Sequence, residues 1–310
     1  MRPRLHSCAV TPDLEAARRG DDAAFARLIA PFRRELRAHC YRMAGTLHDA
    51  DDLLQESLLR AWKGLASFEG RASLRTWLYK VTTHACLDKL DSRAAPRELV
   101  EPCPPELYVS PESEYERRET IALAFLVALQ LLTPKQRAVL ILRDVVGIDA
   151  AECAELLGLS VAAVNSALQR AREAVAERPD ARLEHDPDRD AALARYVEAW
   201  ERADSAALIA LLRDDATLAM PPTPETFFGA SAIGAAIEHM VFGPAGPGAF
   251  RLVATEANGA PAFAGYRRDE AGVMRAASLH LVATRGGRVA SIVAYLDPSL
   301  FARFGLPERI

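Results

Sequence analysis

From Asp13 to about Leu90, apolar residues recur at the three-and-four spacing that lines one face of a helix. They run as Phe25, Leu28, Ile29, Phe32, Leu36 and Cys40, then Leu54, Leu58, Trp62 and Leu65, then Leu74, Trp77, Leu78, Val81 and Ala85. The pattern predicts a compact helical bundle. Pro31 interrupts the first stripe; proline removes an intrahelical donor and clashes with the preceding turn, so the helix is expected to kink or split there. Asp49 is a candidate N-cap for the second stripe, with Asp51 and Asp52 in its first turn. A second helical stretch runs from about Tyr115 to Glu177, with breaks at Thr133-Pro134 and at Gly158-Leu159-Ser160. Within it, Ala150 to Leu157, a turn containing Gly158, and Val161 to Ala176 have the lengths and the glycine of a helix-turn-helix.

Beyond Ala191 the period changes. Two short helices, Ala191 to Ala203 and Ser205 to Leu212, precede a strand-like Ala216 to Met220 and a third helix near Ile233 to Val241. Strand-like stretches follow at Phe250 to Ala257, Pro261 to Arg268, Val273 to Thr284 and Val289 to Leu296. Asn258-Gly259 and Gly286-Gly287 sit between consecutive strands, where hairpins require residues that tolerate positive φ. This is an α+β layout, helices segregated against an antiparallel sheet. The expected organisation is an N-terminal extension without order at 1–12, a helical bundle at 13–93, a Pro/Glu-rich linker at 94–114, a helix-turn-helix domain at 115–178, a second linker at 179–190 and the α+β domain at 191–310.

Composition adds little to the fold and more to the compartment. The 310 residues are 50% hydrophobic and 26% charged, as in ordinary globular proteins, which excludes collagen-like, disordered and disulfide-scaffold classes. The five cysteines are scattered and never form CxxC, which argues against a zinc site or a disulfide framework and fits a reducing cytoplasm. The first residues lack the apolar core of a signal peptide, and the longest apolar run, Ile121 to Leu129, is too short to span a membrane. A net charge of -4 does not announce a nucleic-acid binder.

Local charge does. Asp49, Asp51, Asp52 and Glu56 crowd four negative charges into eight residues, whereas Arg60 to Arg97 holds eight basic residues against three acids. One segment suits a cationic protein surface, the other phosphate. Aromatics interleave with the basic stretch at Trp62, Phe68, Trp77 and Tyr79, the combination on which bases stack while cations hold the backbone. At their helical spacing, Trp62 and Trp77 are expected in the core, leaving Phe68 and Tyr79 as the freer rings. Between Glu98 and Glu119, seven glutamates oppose two arginines, which solvates a tether or else mimics or repels nucleic acid.

The run from His48 to Glu56 (HDADDLLQE), with Leu59-Arg60-Ala61-Trp62, Phe68-Glu69-Gly70 and Leu74 to Tyr79 (LRTWLY), closely resembles region two of bacterial extracytoplasmic-function sigma factors. Leu132 to Arg137 (LTPKQR), Ala154 to Gly158 (AELLG) and Val164 to Arg172 (VNSALQRAR) resemble region four. The C-terminal part resembles a SnoaL-like domain, a cone of helices on a curved sheet. The resemblance implies a promoter-recognition subunit that binds core RNA polymerase, reads the -35 and -10 elements and assists opening, without covalent chemistry. Asp49, Asp51, Asp52, Gln55 and Glu56 would face the clamp of the largest polymerase subunit, and region four the flap of the second-largest. The loop Ser67 to Ser73, with Phe68, Arg71 and Ser73, would capture a flipped base of the -10 element, and Arg75, Tyr79, Lys80, Thr83 and His84 would follow the unpaired strand. Ser160 would cap the recognition helix, Asn165, Ser166 and Gln169 would read base edges at -35, and Arg170 and Arg172 would hold phosphate. The family often has a basic residue where this chain has Asn165 and Ala167.

In the C-terminal part, strand alternation puts Met274, Ala276, Ser278, His280 and Val282 on one face, so that His280 would enter a pocket with Tyr196, Trp200 and Tyr266. No acid-base pair can be assigned there, so neither catalysis, cofactor nor metal is expected. An interdomain regulatory role follows instead. The rival reading is a one-component ligand-sensing helix-turn-helix regulator acting without polymerase, for which the acidic helix and the stacking loop would have no use.

Overall fold

The computed structural model describes residues 12–70, 72–91, 100–105, 123–176, 186–221, 223 and 225–310, and the chain divides into two units between Arg182 and Leu183. The N-terminal unit begins with α1 (Pro12–Arg18), α2 (Asp22–Ile29), α3 (Arg33–Ala44) and α4 (Leu47–Gly64), then a 3-10 turn (Leu65–Ser67) and α5 (Leu74–Asp91). Pro31 falls in the break between α2 and α3, which splits the first apolar stripe as its chemistry requires. The N-cap of α4 is Thr46, not Asp49: the Thr46 hydroxyl accepts from Asp49 N at 3.2 Å and donates to Asp49 Oδ2 at 2.7 Å. Asp49 therefore serves one turn inside the helix, where a carboxylate favours the positive end of the dipole.

Part of the expected tether is packed. Val100 and Cys103 are buried in the same core as α3 and α4, and Glu101 bonds to the start of α4 on both its backbone and side chain. Its N–H donates to Gly45 O at 2.9 Å and its Oε2 accepts from Leu47 N at 2.8 Å. The rest of the 94–114 stretch lies outside the described residues.

The unit continues with α6 (Leu123–Gln130), α7 (Pro134–Leu140), a π-helical extension (Ile141–Val146), α8 (Ala150–Leu157) and α9 (Val161–Ala176). Thr133 and Gln136 form a capping box around Pro134 at the start of α7. Helices α8 and α9 meet at 101° through Gly158, whose φ of 65° a residue with a Cβ would adopt only at a cost. A single apolar core runs through both halves of the unit, from Leu36, Tyr41, Leu53 and Leu78 to Leu129, Val139, Leu156 and Val164.

The C-terminal unit has α10 (Arg189–Glu201), α11 (Ser205–Leu211), β1 (Leu212–Ala219), β2 (Thr226–Phe228), α12 (Ala230–Ile237), β3 (Phe250–Ala257), β4 (Ala260–Arg268), β5 (Met274–Arg285), β6 (Arg288–Tyr295) and α13 (Leu300–Arg303). The open sheet has the order β2-β1-β6-β5-β4-β3. It is mixed rather than antiparallel, because β1 pairs parallel with β6. Hairpins dictate antiparallel pairing only between consecutive strands, and these two, neighbours in the sheet, are separated along the chain by the other four strands. Both glycine turns are of the hairpin kind, with φ of 53° and 70° at Asn258 and Gly259 and 60° and 70° at Gly286 and Gly287. Tyr196, Trp200, Phe242, Phe250 and Phe263 pack in one core between the helices and the sheet.

Candidate nucleic-acid interface

The acidic residues of α4 divide by exposure. Asp49 is buried, whereas Asp51 and Asp52 expose 53% and 49% of their side chains and Glu56 52%; Gln55 is exposed as well. Each exposed carboxylate already has a cation beside it. Arg37 holds Asp51 through Nη2 at 3.0 Å, Lys89 reaches Asp52 at 3.3 Å, and Arg60 reaches Glu56 at 2.7 Å. Exposed pairs of this kind contribute roughly 0–1 kcal/mol, so an incoming cationic surface can displace them cheaply. Between α2 and α4 lies a groove of about 680 Å³ with an apolar floor of Phe25, Leu54, Leu58 and Trp62 and a polar rim that includes Asp51, Gln55 and Arg33. Leu59, 49% exposed, stands at its edge.

The basic face of α5 departs from the expected picture in its aromatics. Phe68 and Tyr79, expected to be free, are buried, while Trp62 and Trp77 are partly exposed. Phe68 sits in a small core with Leu14, Ala17 and Leu65, its carbonyl bonded by Arg18 and its ring 5.2 Å from that of Trp77. The reason is that α1 closes over the loop, a contact no periodicity within α4 or α5 reveals. Thr83 is also buried and lies 3.0 Å from His39 Nε2. Ser73 is exposed and accepts from Thr76 N at 3.0 Å, which places it at the start of α5. Lys80 is exposed, and half-buried His84 bonds through Nδ1 to Lys80 O at 2.8 Å. Arg71 lies outside the described residues.

Arg75 has a partner that sequence reasoning missed. Glu35 on α3 takes Arg75 Nε at 2.9 Å and Nη2 at 2.8 Å on Oε2, and the same oxygen accepts from the Tyr79 hydroxyl at 3.3 Å. The guanidinium carbon lies 4.9 Å from the centre of the Tyr79 ring. Burial, with the nearby Glu35 carboxylate, pushes the Tyr79 phenol pKa up, so it stays a neutral donor. Forty residues separate Glu35 from Arg75, so no local spacing signals the pair.

On α9, the helix expected to read the -35 element, Ser160 accepts from Ala163 N at 3.1 Å and caps it as expected. Asn165, Ser166, Gln169 and Arg170 are exposed together, and Val164 and Leu168 face the core. Arg170 donates to Ser166 Oγ at 2.7 Å and Gln169 to Glu173 at 3.0 Å. Arg172 makes a bidentate pair with Asp144 at 2.7 and 2.8 Å, tying α9 to the π-helical extension of α7.

The expected C-terminal pocket does not hold together as a set. His280, Tyr196 and Trp200 do converge: the Tyr196 hydroxyl is 3.0 Å from His280 Nδ1, Ser278 Oγ is 2.8 Å from Nε2, and the Trp200 ring centre is 4.6 Å from that of His280. Tyr266 belongs to another cluster, with Phe301, and bonds to Pro307 O at 3.0 Å. A bulge pairs Gly265 with Ser278 but Tyr266 with Ala276, so the alternation that placed Ala276 beside His280 reverses there. Burial lowers His280 to about 4, which keeps the ring neutral. Among the described residues, no group of histidines, cysteines or carboxylates is arranged to hold a metal ion. Nor is any single described helix long and apolar enough to cross a membrane.

Comparison with known proteins covers the same elements. The sequence matches the family model for Sigma-70 region 2 over residues 28–95 and that for Sigma-70, region 4 over residues 122–175. It is 43% identical to the ECF RNA polymerase sigma factor SigG of Mycobacterium tuberculosis, over 94% of this chain and 86% of that protein. It is 30% identical to SigJ of the same organism, over 89% of this chain and 93% of SigJ. The crystal structure of the M. tuberculosis extracytoplasmic function sigma factor SigJ superimposes with a TM-score of 0.65 at 27% identity, covering 91% of this chain and 99% of that one.

Proposed function

Because the chain belongs to the extracytoplasmic-function sigma factors, which bind RNA polymerase and recognise promoters, we propose specific roles for its exposed faces. The outer row of α4, Asp51, Asp52, Gln55 and Glu56, meets the polymerase clamp, while buried Asp49 holds the helix start in shape. Ser73, Arg75, Lys80 and His84 line the path of the unpaired -10 strand. Asn165, Ser166, Gln169 and Arg170 enter the major groove at -35. The observation that carries this reading is the joint exposure of those four residues on a capped helix whose other face is buried. Gln169→Ala is expected to alter promoter choice by about tenfold between competing -35 sequences without changing affinity for core enzyme. A selection of promoter fragments by the reconstituted holoenzyme measures it, and an unchanged preference removes Gln169 from the reading set.

Regions two and four share one core, yet the elements they read lie about 25 base pairs apart, or about 85 Å at 3.4 Å per pair. A folded unit of this length is only about 40 Å across. Simultaneous recognition therefore needs the two regions to part, and we assign control of that step to the C-terminal unit. Core polymerase mixed with the full chain, or with residues 1–182, tests both claims by co-elution and start-site-specific transcription. Both forms are expected to bind core and to differ in initiation. Asp52→Lys is expected to weaken co-elution at least several-fold while leaving the fold intact, since Asp52 is half-exposed. Normal core binding by that variant removes Asp52 from the docking surface. Duplex binding without core binding by the parent chain would favour the one-component regulator instead.

A further inference from the structure

Helix α3 holds none of the residues that the sequence marked for DNA, yet it supplies a partner to three of them. Glu35 takes Arg75 in a bidentate grip and accepts from Tyr79. One turn further along, His39 packs edge-on to the Tyr79 ring at 5.2 Å and meets Thr83 at 3.0 Å. Tyr79 and Thr83 are buried, so they are held and cannot swing out to a base. Arg75 keeps 43% of its side chain exposed and Glu35 31%, so the ion pair borders solvent, where a phosphate oxygen can compete with the carboxylate.

We propose that Glu35 is a positioning residue for the single-strand face: it fixes Arg75 over the Tyr79 ring and occupies the guanidinium until a promoter phosphate displaces it. This rests on the assignment of Arg75 to the -10 strand path. Two consequences follow from charge alone. Without DNA, the carboxylate neutralises Arg75, which suppresses attraction to any passing polyanion. With DNA, the phosphate replaces one anion by another, so the net gain from that contact is small unless the neighbouring contacts of a correct strand are also made. Glu35 thereby weakens non-specific binding more than specific binding, a way of improving discrimination without touching a base. The aromatic beneath the guanidinium keeps the cation in place during the exchange, because the stacking survives loss of the carboxylate.

The test measures binding of labelled oligo-dT to the full chain assembled with core polymerase, across a range of salt, for the parent and the Glu35→Gln, Glu35→Asp and Arg75→Gln variants. Glu35→Gln is expected to bind oligo-dT several-fold more tightly, with the dependence of log affinity on log salt steeper by about 0.7, the increment for one added phosphate contact on a single strand. Glu35→Asp, which restores the charge, is expected to return both values toward the parent. A purely structural role for Glu35 would change melting temperature and leave the slope alone. If Arg75→Gln weakens binding but Glu35→Gln leaves affinity and slope unchanged, the positioning role is overturned and the strand path stands. If Arg75→Gln has no effect even when combined with Glu35→Gln, or no form binds oligo-dT, the strand path itself fails and the proposal with it.

Discussion

Replacing Arg137 by alanine is expected to remove about 3 kcal/mol from the N-terminal unit, lowering its melting temperature by about 6–12 °C. Arg137 is 4% exposed, and its guanidinium lies against the end of α6, where the last carbonyls of a helix have no partner of their own. It donates from Nε to Leu129 O at 2.8 Å, from Nη2 to Gln130 O at 3.1 Å and to Leu132 O at 3.2 Å, and from Nη1 to Gln130 Oε1 and Met43 O. Alanine leaves these acceptors buried and unsatisfied, and the loss adds to that of the buried side chain. The Met43 contact, together with Gln130 Nε2 donating to Arg42 O at 3.3 Å, joins region two to region four. The variant is thus expected to weaken that junction as well as the helix end. Lysine keeps the charge but not the planar fork, so Arg137→Lys should fall between parent and alanine. Thermal unfolding followed by circular dichroism at neutral pH measures all three; a loss for alanine under about 1 kcal/mol would mean that water reaches those carbonyls.

Arg137 also marks the boundary of what the sequence makes legible. Features set by a few adjacent residues could be read directly: the split at Pro31, the break at Thr133-Pro134, the turn at Gly158 and the two hairpins at Asn258-Gly259 and Gly286-Gly287. Each depends on backbone chemistry local to the residue. The polar face of α9 was equally legible, because exposure there follows the same period as burial. Partnerships across the fold were not. Nothing near Glu35 points to Arg75, nothing near Glu101 points to the start of α4, and the parallel pairing of β1 with β6 has no turn to announce it. The ranking of the aromatics failed for a related reason. Helical period alone put Trp62 and Trp77 inside, but α1 packs over Phe68, and Glu35 with His39 draws Tyr79 inward. Tyr266 was misplaced for lack of register: β4 pairs Phe263 with His280, so plain alternation turns Tyr266 to the opposite face, and the one extra residue on β5 turns Ala276 there with it.

Acid is expected to destabilise both units well before their carboxylates are protonated. Burial pushes His280 from 6.5 down to about 4, and burial together with the nearby Arg42 cation pushes His39 from 6.5 down to about 3. In each case the unfolded chain takes up the proton first. The stability that these neutral rings contribute is therefore complete above about pH 6.5 and is lost as pH falls toward the folded values. By pH 4.5, two units below the unfolded value, the loss is about 2.5 kcal/mol for each unit of the protein, one histidine apiece. Asp186, Asp215 and Asp269 are shifted below 3.8, so their contributions are lost only under about pH 4 and leave this window to the histidines. Urea unfolding of the full chain at intervals from pH 7.5 to 4.5 measures the slope. His280→Gln has no proton to gain and its amide still has polar atoms to offer Tyr196 and Ser278. It is expected to abolish most of the slope for the C-terminal unit while leaving that of the N-terminal unit in place. A flat profile for the parent between pH 6.5 and 5 would mean that the rings are reached by water and titrate as exposed groups do. A slope unchanged by His280→Gln would move the acid response to another group in that unit.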